Sequence, residues 1–311
     1  MQWAFGLAAR FLPDHRSKFS RKDFTLPQLF ACLVLREHQK KSYRGVEALL
    51  EDCPQWRADI GLSRTPDHNT LCRAFRHLVK PGLINRMFDQ VVLWAEQRRM
   101  IQGRIKPLAI DSSLFESHHV SRHFEKRCKE TARKSRRKQL KIQANLRRSR
   151  VIKRLPKLSL AVASSCHLIL AARATTGGGA DHPHFEPVLF DACRRAKVRV
   201  VVADAGYDSE SNHRIARQDM GVRSIIPPQH GRPNKQGRPP RSYWRRRMKR
   251  LLATRPSRRR CGYTQRWQAE TVNSMIKRNL GSALRARTAR RRSYELLLRA
   301  LTHDLMIIQQ C

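Results

Sequence analysis

The chain has 311 residues, of which 65 are Lys or Arg and only 24 are Asp or Glu, so its net charge at pH 7 is +41. A hydrophobic fraction of 40% is enough to bury a core, which excludes a wholly disordered chain. No stretch reaches the ~18 uninterrupted apolar residues of a membrane span, and the first residues lack the pattern of a secretory signal. We therefore expect a globular cytoplasmic protein whose basic surface binds a polyanion, with nucleic acid the first candidate.

Residues 1 to about 100 have the spacing of amphipathic helices. Apolar side chains recur at i, i+3, i+4 and i+7 from Leu26 to Leu33 and from Ile84 to Ala95. Between these segments, Thr65-Pro66-Asp67 offers a helix start, and Arg73 and Arg76 then lie away from the apolar face. Two interpretations stay open: a helix-turn-helix that enters a DNA groove, or a helical bundle with a solvated basic face.

From residue 106 onwards the pattern changes to short runs rich in branched residues, which are typical of β-strands. One run ends at Asp111, and the run at 198–203 ends at Asp204. Further strands are predicted at 158–163, 167–170 and 222–226, and helices at 185–196 and 209–219. Strands followed by alternating strands and helices predict a mixed α/β sheet.

Two strongly basic blocks interrupt this pattern. Residues 126–154 contain 14 Lys or Arg, and residues 231–260 contain 13 and no acid. Blocks of like charge this dense do not pack against each other, so we expect them to meet phosphate, with nearby aromatic rings to stack on bases. The candidate DNA contacts in the second block are Arg245, Arg246 and Arg247.

Carboxylates at strand ends are the first candidates for chemistry, because the chain has few acids. Asp111 and Asp204 each close an apolar strand, and ligands of α/β sheets gather at the carboxyl ends of strands. A single Asp in this position is more often a helix cap or a turn residue. Two such residues together indicate a site.

A third carboxylate lies on a late helix. Tyr263, Arg266, Glu270 and Lys277 project from one helix face at 3.6 residues per turn. The pattern has a plain interpretation, in which Arg266 and Glu270 form an i,i+4 surface ion pair. In the alternative, Glu270 joins the two strand-end carboxylates in an oxygen-rich site for Mg²⁺ or Mn²⁺.

These residues together resemble a known family. Asp204 lies in the run Ala203-Asp-Ala-Gly-Tyr-Asp208, and the late helix carries Tyr-(2)-Arg-(3)-Glu-(6)-Lys without a gap. In this order the features resemble the Asp-Asp-Glu (DDE) transposases of bacterial insertion sequences, in the group that has this four-residue signature. Similar stretches at 111–124, 280–287 and 301–307 extend the resemblance over most of the chain.

The resemblance implies an α/β protein with an RNase H-like mixed-sheet catalytic core, preceded by an all-helical N-terminal domain. We accordingly divide the chain into a helical DNA-binding domain at 1–100 and a catalytic domain at 101–311, with basic insertions near 126–154 and 227–262. Asp111, Asp204 and Glu270 are implied to hold two Mg²⁺ or Mn²⁺ ions for phosphodiester hydrolysis and transesterification.

The resemblance also implies how the chain meets DNA. Arg266 and Lys277 would clamp phosphates, and Tyr263 would contact the DNA without being the nucleophile. The implied partners are double-stranded DNA, as terminal inverted repeats and as target, and further copies of the chain in a homo-oligomer on DNA. The implied location is the bacterial cytoplasm, in association with the nucleoid.

Three other classes of protein share some of these features. A repurposed, non-catalytic DNA-binding descendant of a transposase would keep the basic surface, but the intact Asp111, Asp204 and Glu270 argue against it. In a tyrosine recombinase Tyr263 would be the nucleophile, but the candidate His and Arg lie about 140 residues before it. A histone-like or ribosomal coat protein explains the charge but not the carboxylates.

Other ligand-type residues are predicted to be structural. The eight cysteines are scattered with no C-x-x-C, so we expect reduced thiols. For His182 and His184 we favour a turn and a helix start over a metal site, with Asp181 in a supporting role. Asp208 is predicted to cap a helix rather than to orient a ligand.

Overall fold

The structure is a computed structural model that describes residues 1–105, 107–119, 155–229 and 242–310. The basic block at 126–154 therefore lies outside the described residues. So does the first part of the second block, up to residue 241.

The N-terminal third of the chain is helical, as its apolar spacing predicts. Helices α2, α5 and α6 bury the predicted apolar stripes, with Phe30, Phe75 and Phe88 among their most buried side chains. The predicted cap is confirmed, because Asp67 Oδ1 accepts from the backbone N–H of Asn69 at 2.8 Å. The helices are α1 (Gln2–Ala9), α2 (Leu26–His38), α3 (Tyr43–Asp52), α4 (Pro54–Ala58), α5 (His68–Leu78) and α6 (Pro81–Gln97).

A mixed sheet follows in sequence. The strands are β1 (Leu108–Leu114), β2 (Glu116–Ser117), β3 (Lys157–Ala163), β4 (Leu168–Thr175), β5 (Val200–Ala203), β6 (Arg223–Ile225) and β7 (Ala283–Leu284). Among the described residues, five of them form a sheet in the order β4-β3-β1-β5-β6, and β2 pairs with β7. Neighbours β4, β3 and β1 are antiparallel, whereas β1, β5 and β6 are parallel. The predicted mixed α/β sheet is confirmed.

The later helices pack around this sheet. They are α7 (Phe185–Arg195), α8 (Glu210–Arg214), α9 (Tyr243–Leu251), α10 (Arg255–Arg260), α11 (Trp267–Leu280) and α12 (Ala289–Gln310). Helix α8 continues as a π-helical turn, Ile215–Asp219, so the predicted helix at 209–219 is present but irregular. In the described ranges no helix combines the length and apolarity needed to cross a bilayer.

Helix α12 joins the two halves of the chain. It packs on α2 and α6 on one side and on β4 on the other. Buried apolar side chains form one continuous cluster from Ala4 in α1 to Ile308 in α12. The division at residue 100 stays a prediction, but the N-terminal helices and the sheet share this core.

Candidate active site

Strands β1 and β5 bring the first two carboxylates side by side. Their parallel register pairs Ile110 with Ala203, so Asp111 and Asp204 are the next residues on adjacent strands. Strand β5 ends there, and Asp204 stands exposed at the start of a 3₁₀ turn, Ala205–Tyr207.

The strand that carries Asp111 does not end at this residue, which corrects the sequence prediction. Strand β1 continues to Leu114, and Asp111 pairs with Leu160 of the antiparallel strand β3. The two serines after Asp111 break the apolar run, but the neighbouring strand still supplies hydrogen bonds. Asp111 therefore lies on a rigid ladder rather than on a loop.

Helix α11 lies against β1 and meets Asp111 directly. Asn273 Nδ2 donates to Asp111 Oδ2 at 2.9 Å, and the asparagine side chain is buried. Its other amide atom, Oδ1, is buried without a hydrogen-bond partner among the described residues. Asn273 was not among the residues predicted from the sequence, although its position three residues after Glu270 and four before Lys277 places it on the same helix face.

Electrostatic coupling places Glu270 near Asp111. Burial raises the pKa of Asp111 above its ordinary value, and the negative charge of Glu270 adds to this rise. The hydrogen bonds that the Asp111 carboxylate accepts and the positive charge of Arg266 oppose it. The strand and the helix therefore present two carboxylates and a cation to the same space.

Glu270 forms the ion pair that its spacing predicts. Arg266 Nη1 lies 2.6 Å from Glu270 Oε1, and the Glu270 side chain is 52% exposed. Tyr263 and Arg266 lie in a 3₁₀ turn, Tyr263–Arg266, just before α11, so the prediction that all four residues project from one helix is wrong for these two. Burial raises the pKa of the Tyr263 hydroxyl. The charge of Asp204 acts on both Tyr263 and Arg266, so the second strand-end carboxylate faces this turn.

An open cleft of about 480 Å³ separates β1 from α11. Its walls include Asp111 and Ser113 on the strand and Glu270, Asn273 and Lys277 on the helix. The Lys277 ammonium lies 5.1 Å from the centre of a buried phenylalanine ring, Phe115. Burial lowers the pKa of Lys277, and the charge of Asp111 opposes that shift.

Asp181 lies beside the residues that follow Asp111 and Asp204. Asp181 accepts from the hydroxyl of Ser112 and from Lys157 Nζ, the latter at 2.8 Å. A Cβ at Gly206 would lie 2.9 Å from Asp181 Oδ2, so a side chain in the turn after Asp204 would displace the Asp181 carboxylate. The predicted supporting role of Asp181 therefore has a structural basis.

The neighbouring histidines lie where a turn and a helix start are predicted. His182–His184 form a 3₁₀ turn that leads into α7. Nowhere in the described ranges do three His, Cys, Asp or Glu side chains group closely enough to hold a metal ion. Asp111, Asp204 and Glu270 are not such a group; in the structure Asn273 donates to Asp111, and Arg266 pairs with Glu270.

The donor set nevertheless fits a hard cation. Carboxylate and amide oxygens are the ligands that Mg²⁺ and Mn²⁺ prefer. The buried, unpartnered Asn273 Oδ1 is a further oxygen beside Asp111.

The candidate DNA contacts fall into two groups. Arg73 and Arg76 are exposed on α5, and Arg246 and Arg247 are exposed on α9. Arg245, predicted with the second group, has a protein partner instead: its Nη2 lies 2.7 Å from Asp208 Oδ2, and its Nε donates to the same oxygen at 2.8 Å. Of the three arginines, Arg245 faces inward, where the buried carboxylate of Asp208 is its partner.

Asp208 does not cap a helix, so that prediction was wrong. Ser209 occupies the N-cap position of α8 without a side-chain cap, and Asp208 is fully buried. Its carboxylate accepts from Arg245 and from the backbone N–H of Gln229 at 2.8 Å. These contacts fix α9 to the segment that carries Asp204.

Comparison with known proteins gives one match. The family described as transposase DDE domain matches residues 102–305, which is more than half of the chain and includes every residue of the cleft. No curated protein and no solved structure matches the chain.

Proposed function

The chain belongs to the transposase DDE domain family, and from that premise we propose that it binds the ends of a DNA element and catalyses strand cleavage and strand transfer. We place it in the group with the Tyr-(2)-Arg-(3)-Glu-(6)-Lys signature, with an RNase H-like catalytic core. The order β4-β3-β1-β5-β6, with Asp111 on the central strand, supports that core.

One observation carries the proposal. Asp111 on β1 and Glu270, Asn273 and Lys277 on α11 line one cleft, and Asp204 is next in register on the neighbouring strand. Residues far apart in the sequence thus present carboxylates and cations to a common space. This is what phosphodiester chemistry on a polyanion requires.

Members of this family generally use divalent metal ions. We propose that Asp111, Asp204 and Glu270 hold Mg²⁺ or Mn²⁺, as two ions. When bound, such ions lower the pKa of an attacking water or hydroxyl and stabilise the leaving oxygen.

The protein's own groups then bind and orient the DNA. Lys277 stands in the cleft beside Asp111 and neutralises a phosphate there. Arg266 is paired with Glu270 and would be free to donate to a phosphate oxygen if the glutamate held the ion, so these two residues would supply a ligand and a phosphate clamp. The Tyr263 hydroxyl donates a hydrogen bond to the DNA backbone, and Tyr263 forms no covalent bond with DNA.

The basic surfaces outside the cleft give the remaining contacts. The exposed Arg73 and Arg76 of α5 and Arg246 and Arg247 of α9 bind double-stranded DNA, at the terminal inverted repeats and the target. Arg245 supports this surface through Asp208. We propose that a homo-oligomer of the chain on DNA pairs the two ends of the element.

A repurposed DNA-binding protein without activity is the alternative. It would need no carboxylate beside Lys277, and the cleft keeps two. The arrangement of the cleft therefore favours the active enzyme.

The test is cleavage of linear DNA that carries the gene with its flanking sequence. Wild-type protein should nick the flanks with Mg²⁺ or Mn²⁺ and not with chelator, because the carboxylates act through a cation. Asp204→Ala should abolish the nicks and retain DNA binding. Asp219→Ala removes an exposed acid outside the cleft and should cleave like wild type.

Two results would contradict the proposal. Binding without cleavage in every metal would favour the repurposed protein. A covalent adduct through Tyr263 would replace the metal mechanism with that of a tyrosine recombinase.

A further inference from the structure

Four charged side chains are buried between the N-terminal helices and α12. Arg36 and Glu37 come from α2, and Glu295 and Arg299 come from α12. The side chains of Glu37, Glu295 and Arg299 are 0% exposed, and that of Arg36 is 4% exposed. Two cations and two anions make this buried cluster neutral.

Arg299 connects this cluster to the end of α11. Its Nε donates to Glu37 Oε2 at 3.0 Å and its Nη2 donates to Glu295 Oε1 at 2.8 Å. The same guanidinium donates to the backbone carbonyls of Gly281 at 2.6 Å and Ala283 at 3.0 Å. Gly281 directly follows the last residue of α11.

Glu295 holds the rest of the same segment. Its carboxylate accepts from the backbone N–H groups of Arg285 at 3.0 Å and Ala286 at 2.8 Å. Residues 281–286 include β7, which pairs with β2 just beyond the strand that carries Asp111. Two buried side chains therefore fix the segment that links α11 to the sheet.

The turn after α2 holds α11 itself. Lys40 Nζ donates to the carbonyl of Arg278, in the last turn of the helix, at 2.7 Å. The guanidinium of Arg285 donates in return to the carbonyl of Lys40. The carboxyl end of α11 is thus held by an N-terminal helix as well as by α12.

Stability alone does not account for so many buried charges. Desolvation costs several kcal/mol per ion, and well-packed apolar residues of similar volume are often as stable or more so. The buried charges instead fix the orientation of the chain. The planar Arg299 guanidinium, with its fixed donors, holds the carbonyls of Gly281 and Ala283 at defined positions.

We infer that Arg299, oriented by Glu37, is a positioning residue for the cleft. It sets where α11 stands against β1, and so where Glu270, Asn273 and Lys277 stand relative to Asp111. The side chain of Glu37 acts on the cleft through Arg299, since it is bound to Arg36 and Arg299 and lines no part of the cleft. The consequence for cleavage rests on the proposed function, whereas the position of α11 does not.

The test compares Arg299→Met, Glu37→Gln and Arg299→Lys with Leu50→Ala, a core variant in α3 away from the cleft. Each protein is studied at its own urea concentration, chosen so that the unfolded fraction is the same in every sample. Hydrogen exchange should be about tenfold faster at 275–286 in Arg299→Met and Glu37→Gln than in Leu50→Ala. Arg299→Lys keeps the positive charge but loses the planar guanidinium. Its exchange rate at 275–286 should therefore lie between that of Arg299→Met and that of Leu50→Ala.

Cleavage of the flanked DNA is the second measurement. Arg299→Met and Glu37→Gln should lower kcat per folded molecule while KM for the DNA stays near that of wild type, and Leu50→Ala should keep both. Equal exchange at 275–286 in the Arg299→Met, Glu37→Gln and Leu50→Ala proteins would overturn the inference. If wild type cleaves no DNA, the proposed function fails, and the exchange comparison still decides the position of α11.

Discussion

At the scale of single residues, Asn273 links the two walls of the cleft. Among the described residues, it is the side chain of α11 that hydrogen-bonds Asp111, and its unpartnered amide oxygen lies beside that carboxylate. A side chain that orients a metal ligand is typically worth 10–100-fold in metal affinity or activity. Asn273 is therefore the residue of the cleft at which a small change has the clearest expected result.

We predict that Asn273→Ala lowers the cleavage rate by about 10–100-fold and raises the Mn²⁺ concentration needed for half of the maximal rate. The physical reason is that Asp111 loses the donor that orients it. Thr271→Ala is the control, because Thr271 lies on the same helix and its hydroxyl donates only to Trp267 O. An Asn273→Ala protein with the metal dependence of wild type would show that Asn273 does not act on the site.

A second residue-scale effect concerns acid stability. His303 of α12 is buried, and its Nε2–H donates to the carbonyl of His167 at 3.1 Å. Burial lowers the pKa of His303 to about 4 from an ordinary 6.5. The unfolded chain therefore takes up the proton first as pH falls, so this group's contribution is complete above pH 6.5 and is lost towards pH 4.

We predict that wild type loses about 2 kcal/mol of unfolding free energy between about pH 6.5 and about pH 5 through His303. The variant His303→Gln keeps a donor but does not titrate, so its stability should fall less over this interval. Urea unfolding at several pH values measures the difference. His213, whose pKa burial also lowers to about 4, is present in both proteins and cancels. Parallel pH curves would show that His303 is not neutral in the fold.

At the scale of elements, α9 is held by two acids of the segment after β5. Asp208 binds the side chain of Arg245, and Glu210 accepts from the backbone N–H groups of Trp244 at 3.1 Å and of Arg245 at 3.4 Å. A negative charge at a helix N-terminus is favourable. On the outward face of α9, Arg246, Lys249 and Arg250 line a second cleft. Adjacent arginines of one helix thus have different roles.

We predict that Arg245→Gln lowers the unfolding free energy by about 2 kcal/mol, because the buried carboxylate of Asp208 loses a charged partner. Arg246→Gln should leave stability unchanged and reduce the salt dependence of DNA binding by about 0.9 in log–log slope. Thermal unfolding and a salt titration of binding to duplex DNA check both statements. The reverse pattern would make Arg245 the phosphate contact.

At the scale of the whole molecule, the cleft is assembled from distant parts of one shared core. Helix α12 packs on the N-terminal helices and on β4, and the buried cluster of Arg36, Glu37, Glu295 and Arg299 lies between them. Among the described residues, Arg73 and Arg76 of α5 and Arg246 and Arg247 of α9 are exposed outside this core. The proposed DNA binding would therefore extend beyond the cleft in which Lys277 stands beside Asp111.

Local order along the chain was determined by the sequence itself. The helical stripes of α2, α5 and α6 and the cap at Asp67 follow from spacing within one element, and the ion pair of Arg266 with Glu270 follows from their i,i+4 spacing. The alternation of strands and helices likewise predicts the mixed sheet, because backbone geometry imposes periods of 2 and 3.6 residues.

Only the tertiary structure decided which distant groups meet. Asn273 and Asp111 are 162 positions apart, and Arg299 and Glu37 are 262 apart. Strand β1 passes beyond Asp111 because β3 pairs with it, and Arg245 faces inward because Asp208 lies buried beside it. The spacing of residues in the sequence does not predict such contacts. Each contact depends on how separate elements pack and on which buried charge lacks another partner.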